Sequence, residues 1–148
     1  MKKLTVLLTV FSIIFLLCSC SGKADAEKAK ADILSFCNVQ RQKEGIGELT
    51  LDGELCEAAQ VRAREISMPE SFKHIRPDGS GCFTVLKMNY TKAGENLAKG
   101  KPDGQEIVDA WMNSEEHRKN ITDAQFTRAG IASFEKNGEY YWVMLYVG

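Results

Sequence analysis

The sequence predicts an α+β domain built as a three-layer α-β-α sandwich around a small antiparallel sheet. Near the C-terminus, Asn137-Gly138 stands between two β-prone runs, the strongest short-range signal for a hairpin. The last run, residues 140–147, carries Tyr141, Val143, Leu145 and Val147 on one face and Tyr140, Trp142, Met144 and Tyr146 on the other. Both faces are apolar, so a layer must cover each. Three upstream segments with helical periodicity supply the covers.

In chain order, Lys2 and Lys3 precede residues 4–17, a run without charge, which is the order of a secretory signal and assigns residues 1–19 to it. Extended to Gly22, the uncharged stretch reaches the roughly 20 residues of a membrane span, so an uncleaved anchor stays open as an alternative. Leu17-Cys18-Ser19-Cys20 resembles a bacterial lipobox, with a branched apolar residue at −3, a small residue at −1 and Cys20 to receive the lipid. A thioether-linked lipid at Cys20 would tether the chain to a membrane. Residues 20–31 are small and charged and read as the tether, leaving residues 32–148 as one folded domain.

From the end of the tether into that domain, Ala29, Ile33, Phe36, Cys37 and Gln40 recur at helical spacing, with Gly45 as the stop. Asp52 can cap a second helix whose inward stripe is Leu55, Ala58, Ala59, Ala63 and Ile66, leaving Glu57, Arg64 and Glu65 for water. Pro102, Asp103 and Glu106 form a capping-box pattern ahead of Ile107, Val108 and Trp111, the third helix. Residues 130–134 and 140–147 then make the hairpin.

The charge is nearly balanced, 19 Lys+Arg against 20 Asp+Glu, which lacks the cationic face that nucleic acid demands. With 148 residues, one domain is the expectation. Beyond Cys18 and Cys20 there remain Cys37, Cys56 and Cys82, which cannot all pair within one chain. One disulfide with a free thiol, and three reduced thiols packed as small hydrophobes, are both open. No pair has the C-x-x-C spacing of a cysteine-zinc site.

The chain has two histidines, both in its middle. His74 precedes Arg76-Pro77-Asp78-Gly79. His117 lies in Trp111-x-x-Ser114-x-x-His117-Arg118-x-Asn120-Ile121, and Gly94-Glu95-Asn96 stands between the two. Together with Asn38-Val39-Gln40-Arg41, Leu49-Thr50-Leu51-Asp52 and Gly130 opening the hairpin, these fragments resemble, in order and interval, the CAP superfamily. That superfamily includes cysteine-rich secretory proteins, venom antigens, plant pathogenesis-related proteins and bacterial SCP-like domains. The resemblance runs from about Ile33 to the end.

The resemblance implies a shared cleft lined by His74, Glu95 and His117. Two neutral imidazoles and a carboxylate suit Zn²⁺ or a similar divalent ion, and equally suit a general acid/base set. A second glutamate common in eukaryotic members is matched here by Ser114, so the implied site has three members. Asn96, Ser114 and Arg118 are candidates to line the cleft. Arg76 reads as loop-fixing and Trp111 as core. The function implied is an extracytoplasmic, lipid-anchored or secreted binding module whose cleft takes a divalent metal and a small apolar or cell-wall-derived ligand. The alternative is a metal- or His/Glu-dependent hydrolase acting on a peptide or ester. The sequence sets no oligomeric state.

Overall fold

The computed structural model describes the side chains of residues 22–148 and, ahead of them, helical backbone from Leu7. The signal reading of residues 1–19 and the lipidation of Cys20 therefore lie outside the residues whose side chains are described. Among the described residues no helix is long and apolar enough to cross a membrane.

Four helices and four strands follow in the order α1 (Leu7–Lys43), β1 (Thr50–Leu51), α2 (Gly53–Ile66), β2 (Ala93–Gly100), α3 (Gly104–Asn113), α4 (Glu115–Ile121), β3 (Arg128–Lys136) and β4 (Glu139–Val147). The sheet order is β1-β3-β4-β2, with β4 antiparallel to both neighbours and the two-residue β1 parallel to β3. The sheet is thus antiparallel except at that short edge. Asn137 and Gly138 turn the hairpin with φ of 55° and 82°, the pair of positive values that a two-residue turn of this hand needs.

The central strand β4 shows why the domain has three layers. Trp142, Met144 and Tyr146 pack with Ile33, Cys37, Val108, Trp111 and Ile121, which puts α1, α3 and α4 on one side. Val143, Leu145 and Val147 pack with Leu55, Ala59, Ala63 and Ile66 of α2 on the other. Asp52 caps α2 by accepting from Leu55 N at 3.1 Å, and Asp103 caps α3 by accepting from Gln105 N and Glu106 N.

Two expectations change, and one open choice closes. Residues 22–31, read as a tether from their composition, are helical, and Ala26 and Ala29 join the core with 7% and 1% exposure, because α1 carries its apolar stripe back against α3. Glu65, expected in water, is 9% exposed, because it turns inward to two guanidinium groups. Cys37, Cys56 and Cys82 are all free thiols, two of them buried, which decides between the two readings of the cysteines.

Candidate functional site

The strand β2 sits at a sheet edge and begins with the Gly94-Glu95-Asn96 motif. Glu95 pairs across the sheet with Leu145, and Asn96 with Met144, so the two side chains enter opposite layers. Glu95 faces α2. Asn96 faces α4, where its Nδ2 donates to His117 O at 3.1 Å and to Tyr146 Oη at 3.1 Å, and its Oδ1 accepts from Asn120 at 2.8 Å. Gly94 lets α4 come this close, since a Cβ there would lie 2.9 Å from Asn120 Oδ1 and from the Phe126 ring. One tripeptide therefore ties the two histidine-bearing segments to the same strand.

On the α2 side, His74 Nδ1 lies 2.9 Å from Glu95 Oε1. Arg62, with no exposed surface, places Nε 2.8 Å from Glu95 Oε2 and Nη2 3.2 Å from Oε1. The same guanidinium donates to Glu65 at 2.7 Å and to the Lys73 carbonyl at 2.9 Å. Arg76 donates to Glu65 at 2.7 Å and to Thr84 at 3.1 Å. The His74 loop is thus clamped to α2 on both sides of the imidazole, by Arg62 at residue 73 and by Glu65 at residue 76. Arg76 fixes the loop, as its sequence context indicates.

Burial acts to raise the Glu95 pKa, but the hydrogen bond from His74 and the Arg62 guanidinium overcome it and hold the carboxyl below its ordinary 4.5. An ionised carboxylate can only accept, so Nδ1 of His74 carries a proton in this contact. The His74 side chain is 53% exposed while that of Glu95 is 1% exposed, which leaves the ring open to a ligand above a buried support. His117 is half-buried, and burial followed by the nearby charge of His74 lowers its pKa below 6.5, keeping it neutral at physiological pH.

A third group completes the cluster. The Cys82 thiol is 5% exposed, and ligand atoms of His74, Cys82 and Glu95 all lie within 4.8 Å of one another, a set that can hold a metal ion. Burial, then the charge of Glu95 and a hydrogen bond to it, push the thiol up to about 12. A thiol so protonated is not an activated nucleophile.

Of the other candidates, Asn96 is fully buried and braces α4 against β2. Ser114, half-buried, is the corner residue where α3 ends and α4 begins, and its carbonyl accepts from Arg118 N at 2.8 Å. Arg118 is exposed and its Nη1 donates to Met112 O at 3.0 Å, locking that corner. Trp111 is core, 1% exposed, with Nε1 donating to Leu97 O at 2.9 Å. Sequence reasoning missed Arg62, Glu65 and Cys82. For the first two a signal existed: both fall on the inward stripe of α2 set by Leu55, Ala58, Ala59 and Ile66, where a charge calls for a buried partner.

A helical cover on each face of a small sheet, with a histidine-bearing segment meeting the edge strand from either side, defines an α-β-α sandwich domain. The family model of the cysteine-rich secretory protein family, CAP, matches residues 34–146, and the chain belongs to that family. It is 34% identical over 131 residues to the uncharacterized protein YkwD of Bacillus subtilis (strain 168), covering 86% of this chain and 50% of YkwD. The chain thus spans about half the length of that curated relative. Among solved structures it resembles an extracellular SCP-domain protein of Bacillus anthracis, with TM-score 0.72, 25% identity, and coverage of 82% of this chain and 40% of that one. It shares its fold with NaASP2, solved with Zn²⁺, at TM-score 0.62 and 15% identity, covering 81% of this chain and 79% of NaASP2.

Proposed function

We propose that this chain is an extracytoplasmic, lipid-anchored binding module whose cleft holds a divalent metal ion at His74, Glu95 and His117 and takes a small apolar or cell-wall-derived ligand. The observation that carries the reading is the half-exposed His74 ring, set against a buried carboxylate that Arg62 in turn holds. An ion taking the place of the Nδ1 proton would find the imidazole nitrogen and a Glu95 oxygen already 2.9 Å apart, the carboxylate held by Arg62. When bound, the ion supplies a Lewis-acidic site for an oxygen or nitrogen of the ligand. His117 brings a second neutral imidazole, held through its own carbonyl by Asn96. The extracellular SCP-domain relative and the structure of NaASP2 with Zn²⁺ support the location and the metal.

Zn²⁺ titrated into the full chain in detergent should raise its thermal stability. The gain corresponds to about 2.7 kcal/mol when free metal is a hundredfold above Kd. His74→Ala and His117→Ala should each lose most of that gain. A wild type that gains nothing, or variants that gain as much as wild type, would reject the site. The anchor has its own check: mass spectrometry of the membrane fraction should find a mature chain starting at a lipid-modified Cys20, and an unmodified Cys20 would reject it.

A further inference from the structure

We propose that Cys82 is itself a metal ligand of this cleft, so that the site takes a thiophilic divalent ion, Zn²⁺ or Co²⁺, through sulfur, nitrogen and oxygen together. The inference rests on the metal reading above and names the class of ion that the cleft selects. Main-chain geometry puts the sulfur there. Residues 75 and 81 form an isolated antiparallel bridge, and Cys82 N donates to His74 O at 3.1 Å, so the loop folds back and sets residue 82 directly beside the imidazole. The short 3-10 turn Cys82–Val85 then buries the side chain against Glu95.

The carboxylate is held in place for ligation. Arg62 Nε takes Oε2, while Oε1 accepts from His74 Nδ1 at 2.9 Å and from Arg62 Nη2 at 3.2 Å, and the thiol completes a triangle of ligand atoms no more than 4.8 Å apart. Charge points the same way. Arg62 and Arg76 are already balanced by Glu65 and Glu95, so a divalent ion held by neutral imidazoles and Glu95 would add two uncompensated charges to a partly buried cluster. A Cys82 thiolate removes one of them. As the metal–sulfur bond forms, the thiol proton leaves to water, and the proton on His74 Nδ1 gives way to the ion, the ring keeping its one proton on Nε2. Soft sulfur favours Zn²⁺ and Co²⁺ over Mg²⁺ and Ca²⁺, which prefer all-oxygen sets. The exposed side of His74 leaves room for a further coordination position.

Co²⁺ reports its ligands by colour. Added to the full chain in detergent, it should produce a near-ultraviolet sulfur-to-cobalt charge-transfer band that Zn²⁺ abolishes and excess Mg²⁺ does not. The band should persist in Cys37→Ser and Cys56→Ser and vanish in Cys82→Ser, whose Co²⁺ affinity should fall at least about tenfold. Because Cys82→Ser could fail to fold, a second measurement uses wild type alone: Zn²⁺ should protect Cys82 from alkylation under mild denaturant, read by peptide mass mapping. Co²⁺ that binds without the band, or Zn²⁺ that leaves Cys82 as reactive as before, overturns the role of Cys82 while the imidazole site stands. No binding of either ion overturns both.

Discussion

Arg62→Met is expected to destabilise the domain by about 3–5 kcal/mol, because it strips the guanidinium from a carboxylate that cannot reach water. Arg62 and Glu95 have side-chain exposures of 0% and 1%. The same change removes the donor to the Lys73 carbonyl and one of the two cations on Glu65. Denaturant midpoints at constant slope measure the loss. Adding Glu95→Gln should return a good part of it, since the amide takes the charge away; a single-variant cost under about 1 kcal/mol would show that the hub is dispensable.

The pH dependence has a definite sign. Burial raises the pKa of Glu65 and Glu95, but their partners outweigh it and hold both below 4.5, so the stability they contribute is fully present above that value and is lost as pH falls through the folded pKa. In Arg62→Met the Glu95 carboxyl keeps its burial and loses its principal cation, so its folded pKa rises. The deficit of the variant should therefore be greatest near neutral pH and shrink as the solution is acidified, because a protonated Glu95 no longer needs the guanidinium. A deficit that stays constant down to pH 3 would mean that Arg62 acts through packing alone.

How far the sequence carries depends on the range of the interaction that decides each feature. The hairpin was legible because its signal is local: Asn137 and Gly138 tolerate the positive φ, and the alternation from Tyr140 to Val147 shows both buried faces. His74, Glu95 and His117 were legible as motif members, although what brings their segments together is the edge strand and the opposite pointing of Glu95 and Asn96. Residues 22–31 of α1 were misread because small and charged residues suit both a tether and a helix whose narrow face packs on α3. The spacing of Ala26, Ala29 and Ile33 was present, but composition masked it. Cys82 had no sequence signal. Its nearness to His74 and Glu95 is created by a folded-back loop, and no ligand spacing along the chain encodes that.

Arg41→Met should be nearly as damaging as the loss of Arg62, costing about 3 kcal/mol or more, for a different physical reason. Arg41 is 1% exposed near the end of α1, and its described hydrogen bonds go to carbonyls: Gly47 O at 2.6 Å, Ile121 O and Asp123 O at 2.9 Å, and Phe126 O at 2.8 Å. These carbonyls belong to the turn after α1, the end of α4 and the approach to β3, so one planar fork joins three segments that have no backbone ladder with each other. Methionine fills much of the volume but leaves the carbonyls without their donor, and a buried acceptor left unpaired costs about 1–3 kcal/mol. Arg41→Lys should fall between the two, since an ammonium keeps the charge but cannot span the fork. Because Ile121 ends the helix that carries His117, the methionine variant should also lose amide-exchange protection over residues 121–126 and bind Zn²⁺ more weakly, although Arg41 touches neither imidazole. Full retention of both protection and metal affinity in a destabilised Arg41→Met would confine the residue to global stability and sever it from the cleft.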